Sequence, residues 1–280
     1  MTIRRACIMG HPVAHSRSPM LHGYWLRTLG IAGTYEHADV PPAAFETFFR
    51  GLSANGYVGG NITIPHKEAA FRLVDAREPA ADAIGAVNTV WYEDGKLIGA
   101  NTDWRGVVES LDDIHPGWDA AAGKVVVLGA GGSARASVYA FLQRRFSVAI
   151  VNRTRARAEK LAAEFGAGAS AHGEDERARL LAEADVLINN TSLGMAGKEP
   201  LAIDLSPLKT SAIVYDAVYV PLETELLKAA RRAGLRTVDG LSMLLYQAVV
   251  GFTHWFGVKP QVTAEQRAIL EADIRAKTGT

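Results

Sequence analysis

The sequence predicts an α/β fold made of two α/β domains with mostly parallel sheets. Three observations carry this. Strands and helices alternate along the chain in two separate series. The strands of the second series are short all-apolar runs, as parallel strands buried on both faces require. A glycine-rich turn joins the first of those runs to a helix. Strand–helix alternation of this kind builds parallel sheets with right-handed crossovers.

The elements follow in order. Arg5–Met9 is an apolar strand, Ser18–Leu29 a helix, and Tyr35–Val40 alternates like a strand. Pro42–Ala54 reads as a helix with proline near its start, where a missing N–H is harmless. Tyr57–Ile64 is a strand, and Pro65 opens a short helix. Val87–Tyr92 and Lys96–Ala100 flank Glu93-Asp94-Gly95, a hairpin signal. The second series begins at Lys124. Val125–Leu128 is a buried strand, and a helix follows to about Arg145. Val148–Val151, Val186–Asn189 and Ile213–Ala217 are further buried strands. The boundary between the series falls near Trp104–Gly106. Two helices, Ser242–Phe256 and Thr263–Lys277, close the chain. Periodicity alone does not say whether they extend the second series or fold back onto the first.

Composition removes several function classes. Hydrophobic residues make up 48% and charged residues 21%, enough for a sizeable core and against disorder. Thirty Lys plus Arg balance thirty Asp plus Glu, so no electrostatic case exists for nucleic acid or an anionic membrane surface. Cys7 is the one cysteine, which rules out an internal disulfide and a cysteine-based metal site. No segment reads as a signal peptide or membrane span, and a reducing cytoplasm is the expected location.

The turn Gly129-Ala130-Gly131-Gly132-Ser133-Ala134 follows a strand and opens a helix with the spacing G-x-G-x-x-A, a Rossmann fingerprint. Gly129 permits the tight turn, Gly131 lets backbone N–H groups approach a pyrophosphate, and Ala134 keeps the helix close to the sheet. The next strand ends in Asn152-Arg153-Thr154-Arg155-Ala156-Arg157, where an NAD-binding chain usually carries a carboxylate for the ribose hydroxyl. Guanidiniums bind a 2′-phosphate that a carboxylate would repel, and Thr154 adds a hydroxyl, so the run predicts NADP. The plainer alternative, a solvated helix start, is outweighed by the position after the second Rossmann strand.

The chemistry-bearing residues lie at strand ends, where open α/β sheets bind ligands. Ser16 and Ser18 sit near a helix N-terminus and suit a small carboxylate; on that segment alone, N-capping is the simpler reading. Thr63 and Lys67 follow the next strand end. Ala86-Val87-Asn88-Thr89 and Asn101-Thr102-Asp103 end two further strand-like runs. Histidines 11, 15, 22 and 66 have no carboxylate or cysteine partner at helical ligand spacing, so no metal site is expected.

Taken jointly, these motifs resemble the shikimate dehydrogenase family. The resemblance rests on Gly10 to His22, Asn61–Lys67, Ala86–Thr89, Asn101–Asp103, Gly129–Ala134, Asn152-Arg153-Thr154, Asn190–Met195 and Asp239-Gly240-Leu241 to Gln247, in family order along essentially the whole chain. It implies NADPH-dependent, reversible reduction of 3-dehydroshikimate to shikimate, a step of aromatic amino-acid (chorismate) biosynthesis. It implies Lys67 and Asp103 as the catalytic pair. Ser16, Ser18, Thr63, Asn88, Tyr219 and Gln247 match the family's substrate positions, together with that pair. Arg153, Thr154 and Arg157 match its 2′-phosphate site. Gly129–Ala134, Asn152, Thr191, Ala217, Gly240 and Met243 complete the cofactor set, with Met243 beside the nicotinamide. The implied architecture is a substrate domain, 1–104 plus 240–280, and a Rossmann NADP domain, 105–239, with the catalytic cleft between them. The implied partner is the small-molecule substrate; a homodimer is the expected assembly, and the sequence itself does not reveal the oligomeric state. Gly23, His66 and Trp104 depart from the family pattern, the last two next to the catalytic positions, and bear on substrate preference. A quinate/shikimate paralogue that uses NAD is the alternative with the same fold; Arg153 and Arg157 argue against NAD. A non-catalytic dinucleotide-binding regulator is a rival of another class, and Lys67 with Asp103 argues against it.

Overall fold

The computed structural model describes residues 3–278. The described residues fold as two compact units, one made of the chain up to Asp103 with Gln247–Leu270, the other of Trp104–Tyr246 with the chain from Glu271 onward.

The first unit contains β1 (Arg4–Gly10), α1 (Ser18–Thr28), β2 (Gly33–Asp39), α2 (Phe45–Arg50), β3 (Tyr57–Ile62), α3 (Lys67–Leu73), β4 (Ala76–Arg77), α4 (Pro79–Ile84), β5 (Thr89–Glu93) and β6 (Lys96–Ala100). Its six-stranded sheet has the order β2-β1-β3-β5-β6-β4. β1 pairs in parallel with β2 and β3, and β4 with β6, whereas β5 runs antiparallel to β3 and β6. The hairpin turn is Asp94-Gly95, with φ of 49° and 76°, the left-handed pair that matches strand twist in a two-residue loop.

The expected helix over 42–54 is shorter. Pro42–Ala44 is a 3₁₀ turn, α2 stops at Arg50, and the chain then turns through Gly51, Asn55 and Gly56, residues that favour turns over helix. β3 ends at Ile62 and α3 starts at Lys67, not at Pro65. Proline cannot donate to a ladder and drives the residue before it away from helical geometry.

The second unit starts in α5 (Asp103–Ile114), whose first residue still belongs to the first unit. It continues with β7 (Lys124–Leu128), α6 (Gly132–Gln143), β8 (Ser147–Val151), α7 (Arg155–Phe165), β9 (Ala169–His172), α8 (Arg177–Glu183), β10 (Val186–Asn189), β11 (Ile213–Asp216), α9 (Glu225–Arg232) and β12 (Arg236–Val238). All pairs are parallel, in the order β12-β11-β10-β7-β8-β9. The order reverses between β7 and β10, the doubly wound arrangement with its switch point there. Helices cover both faces. Ala134, Phe141 and Leu161 of α6 and α7 share one core with Val125 and Val127. Leu181 and Leu226 of α8 and α9 share another with Val126 and Val214.

The chain ends in α10 (Gly240–Phe256) and α11 (Ala264–Thr278). α10 begins two residues before the expected Ser242, because Asp239 accepts from Ser242 N (3.1 Å) and caps the helix. The sequence reading gives 240–280 to the first domain. The structure places Gly240–Tyr246 and the chain from Glu271 onward in the second unit, and there Met243 packs into the core around Val127 and Val238. From Gln247 onward α10 packs in the first unit. There Trp255 Nε1 donates to Val90 O (2.8 Å) over Gly59, where a β-carbon would collide with both. Trp25 Nε1 donates to Gln261 O (2.9 Å), and Gln266 Nε2 to Leu21 O (3.3 Å), fixing residues 261–266 on α1.

Candidate functional site

In the first unit the site residues converge on one sheet edge. β1 and β3 are parallel, so Gly10 and Ile62 end there together, and His11 N→Ile64 O (3.1 Å) and Thr63 N→Met9 O (2.9 Å) join the chains beyond them. Asn88 does not end a strand, as the sequence suggests, but stands just before β5. It reaches the same edge because β5 is antiparallel to β3, with Asn61 opposite Thr89. β6 runs back to that edge, with Ala100 opposite Thr89, and delivers Asn101-Thr102-Asp103.

Lys67 Nζ donates to Asp103 Oδ2. The two side chains are 17% and 8% exposed, which separates this ion pair from the solvated surface pairs that contribute little. A desolvated pair needs further hydrogen bonds to hold it, and the structure supplies them. Asn88 Nδ2 donates to Asp103 Oδ1 (2.7 Å). The Asn88 amide is oriented because its Oδ1 accepts from Thr102 N (2.7 Å) and Thr89 Oγ1 (3.1 Å). Asn61 Nδ2 donates to Thr89 Oγ1 (3.0 Å), and Tyr35 OH to Asn61 Oδ1 (2.6 Å). Asn101 Oδ1 accepts from Asp103 N (3.1 Å), and Thr102 Oγ1 donates to Gln247 Oε1 (3.3 Å). Asn61, Thr89, Asn101 and Thr102 are buried; they lie in the quoted motifs, but the sequence assigns none of them a role.

Ser16 and Ser18 are also buried. Ser16 Oγ accepts from Ser18 N (3.3 Å) and donates to Ser18 Oγ (3.2 Å). The helix α1 carries no side-chain cap, so these hydroxyls are not spent on ordinary capping. His37 Nε2 donates to Ser16 O (3.0 Å) and pins the segment. His66, the departure beside Lys67, stacks on Phe45 at 4.1 Å and donates through Nε2 to Val40 O (2.7 Å). Burial lowers its pKa and favours the neutral ring, so it acts as an anchored aromatic. Among the described residues no group of three His, Cys, Asp or Glu side chains could hold a metal ion.

The second unit presents a nucleotide cradle. Gly129, at φ +105°, makes the turn that no other residue accepts without strain, and Gly131 caps α6. A β-carbon on Gly131 would meet nothing within 4 Å, so that side is open to an approaching group. Ala134 is fully buried against the sheet. Ser133 Oγ accepts from Asn190 Nδ2 (3.0 Å), while Asn190 Oδ1 is buried with no partner among the described residues. Beyond β8, Asn152 Nδ2 donates to Thr154 O (2.9 Å). Arg155 is engaged by Glu159 and Glu176. No carboxylate engages Arg153 or Arg157 among the described residues, and both are exposed. These features fit a dinucleotide with a 2′-phosphate: open backbone N–H groups at a helix N-terminus, an orphaned acceptor beside them, and two guanidiniums without a protein anion.

Thr191, Ala217, Tyr219 and Gly240 follow the carboxyl ends of β10, β11 and β12, and Met243 is buried in the unit's core. Asn189 and Asp216, which sequence reasoning passes over as the ends of apolar runs, are fully buried and hydrogen-bonded to each other (2.9 Å). Burial raises the Asp216 carboxyl to about 6.

Three family descriptions match the chain: shikimate dehydrogenase substrate binding domain at residues 8–90, shikimate / quinate 5-dehydrogenase at 112–200, and shikimate 5′-dehydrogenase C-terminal domain at 240–270. The shikimate dehydrogenase (NADP(+)) of Mesorhizobium japonicum is 58% identical over 98% of both chains. The crystal structure of shikimate 5-dehydrogenase from Thermus thermophilus in complex with NADP(H) and shikimate is 35% identical, with TM-score 0.84, over 98% of this chain and 99% of that one. Quinate dehydrogenase from Corynebacterium glutamicum in complex with NAD is 31% identical, with TM-score 0.88, over 96% and 99%. With motif order, fold and near-complete coverage in agreement, the chain belongs to the shikimate dehydrogenase family.

Proposed function

We propose that this chain is an NADP-dependent oxidoreductase that reversibly reduces 3-dehydroshikimate to shikimate in aromatic amino-acid (chorismate) biosynthesis. The observation that carries the reading is the desolvated Lys67–Asp103 pair, held by Asn88 on the sheet edge that also bears Ser16, Ser18 and Thr63. NADPH supplies the hydride when bound, held by the Gly129–Ala134 turn and by Asn152, Arg153, Thr154, Arg157, Thr191, Ala217, Gly240 and Met243.

Reduction of a ring ketone places negative charge on its oxygen. The Lys67 ammonium stabilises that charge and donates the proton. Asp103 orients the ammonium and accepts a substrate hydroxyl, and Asn88, fixed through Thr102 and Thr89, keeps the carboxylate in place. Ser16 and Ser18 take the substrate carboxylate, while Thr63, Tyr219 and Gln247 bind its remaining polar groups. In the oxidation direction Lys67 takes the proton back.

NADP is favoured over NAD by Arg153 and Arg157, two exposed guanidiniums that no carboxylate engages among the described residues. A substrate domain and an NADP domain, a catalytic cleft between them, a cytoplasmic setting and a homodimer belong to the same proposal. Light scattering in solution checks the dimer. The test of the reaction is absorbance at the NADPH band with shikimate or quinate as substrate and NADP⁺ or NAD⁺ as acceptor. Turnover with shikimate and NADP⁺ well above the other three combinations is the expected result. A preference for quinate with NAD⁺ would overturn the assignment.

A further inference from the structure

We propose that Asp216 is a positioning residue: its side chain locks the loop after β10, which carries Thr191, to the loop after β11, which carries Ala217 and Tyr219. The inference rests on the reading that those three residues serve the cofactor and substrate.

Asn189 and Asp216 are the last residues of adjacent parallel strands and stand opposite each other in register. Both are fully buried. Asp216 Oδ1 accepts from Asn189 Nδ2 (2.9 Å) and from Val218 N (3.1 Å), and Oδ2 accepts from Thr224 Oγ1 (2.6 Å). One carboxyl group thus gathers donors from the end of β10, from its own loop and from the start of α9. Two of the donors are tied onward. Asn189 Oδ1 accepts from Thr191 Oγ1 (2.7 Å) and Thr191 N (3.0 Å), and Asn189 Nδ2 also donates to Leu193 O (3.2 Å). Thr224 Oγ1 accepts from Leu227 N (3.3 Å) and caps α9.

The backbone repeats the link. Ala217 N donates to Asn189 O (2.9 Å), and Ala196 N to Val220 O (2.8 Å). Gly240 lies so close to Ala217 that a β-carbon there would collide with Ala217 O, so the start of α10 presses on the same loop.

A buried ionisable group with no ion-pair partner is unfavourable, and this one has its ionisation opposed by burial. An apolar residue would satisfy a buried strand end equally well. What a carboxylate adds is two acceptor oxygens for donors on three chain segments. Through Asn189 its hydrogen bonds reach Thr191 on one side, and on the other they hold the Val218 N–H, between Ala217 and Tyr219; Thr191, Ala217 and Tyr219 are the residues that the reading assigns to the ligands. Loops released from such a brace populate the binding-competent arrangement less, which weakens affinity by that fraction.

Asp216→Ala, Asp216→Asn and Thr224→Val, with Arg153→Asp as the reference, provide the test. NADPH affinity is read by fluorescence titration, and kcat and both KM values by steady-state oxidation of shikimate. Asp216→Ala is expected to raise the NADPH dissociation constant and the shikimate KM about 10-fold or more, the scale of losing most of the competent population. Asp216→Asn is expected within about 3-fold of the parent, because its Oδ1 keeps two donors and its Nδ2 can donate to Thr224 Oγ1. Thr224→Val falls between them. Should Asp216→Ala fail to fold, Thr224→Val against Thr224→Ser, which keeps the hydroxyl, makes the same comparison. A folded Asp216→Ala with parental constants, or a Thr224→Val indistinguishable from Thr224→Ser and the parent, overturns the brace. So does an Asp216→Asn as impaired as the alanine variant. Arg153→Asp separates the failures: if it too leaves NADPH binding unchanged, the cofactor reading beneath the proposal is what falls.

Discussion

The buried carboxyl of Asp216 makes a prediction about stability that needs no ligand. Its pKa rises from 3.8 to about 6, and burial is the cause, outweighing three hydrogen bonds that pull the other way. A group with a raised folded-state pKa holds its proton more tightly in the fold. Its contribution is therefore fully favourable below the unfolded pKa and is lost as pH climbs through the folded one. A difference of about two units corresponds to about 3 kcal/mol, of which roughly 1 kcal/mol is lost between pH 5 and pH 7. Asp216→Asn cannot ionise and escapes this loss. The stability difference between variant and parent should thus move by about 1 kcal/mol in the variant's favour from pH 5 to pH 7. Urea unfolding followed by hydrogen-exchange mass spectrometry of β10 and β11 peptides reads the second unit by itself. A difference that stays flat with pH, or moves the other way, refutes the burial argument.

Further predictions concern the cradle and the pair. Arg153→Asp should weaken NADP⁺ far more than NAD⁺, whereas Arg155→Ala, already engaged by Glu159 and Glu176, should change either little; nucleotide titrations decide. Gly131→Ala should leave the melting temperature within about 2 °C of the parent, since its β-carbon meets open space, yet weaken NADPH about 10-fold by standing in the pyrophosphate's way. Asn88→Ala strips Asp103 and the Thr102 N–H of a buried partner and should cost about 2–3 kcal/mol of stability in urea unfolding.

Sequence and structure meet most closely where local rules decide. The all-apolar Val125–Leu128 run, the glycine turn after it and the Asp94-Gly95 hairpin are set by side-chain periodicity and backbone freedom, both written in a few adjacent residues. Lys67 and Asp103 are legible through their motifs, and the structure brings them into contact. Asn88 is misplaced by sequence reasoning, because an antiparallel strand turns the start of one run toward the end of another, and pairing direction is not local. The Asn189–Asp216 bond is invisible for the same reason. Each residue closes an apolar run that looks complete without it, and only the register of β10 against β11 sets them side by side. The extents of α2 and α3 are decided by turn-forming glycines and by Pro65, which compete with helix periodicity over one or two turns.

In the proposed chemistry the Lys67 ammonium, held by Asp103, carries the proton of the reaction. Its most direct test is Lys67→Ala, with shikimate oxidation measured beside NADPH affinity. With the ammonium gone, kcat is expected to fall about 10²-fold or more while NADPH binds as in the parent. Turnover close to the parent's in a folded, NADPH-binding Lys67→Ala would contradict it.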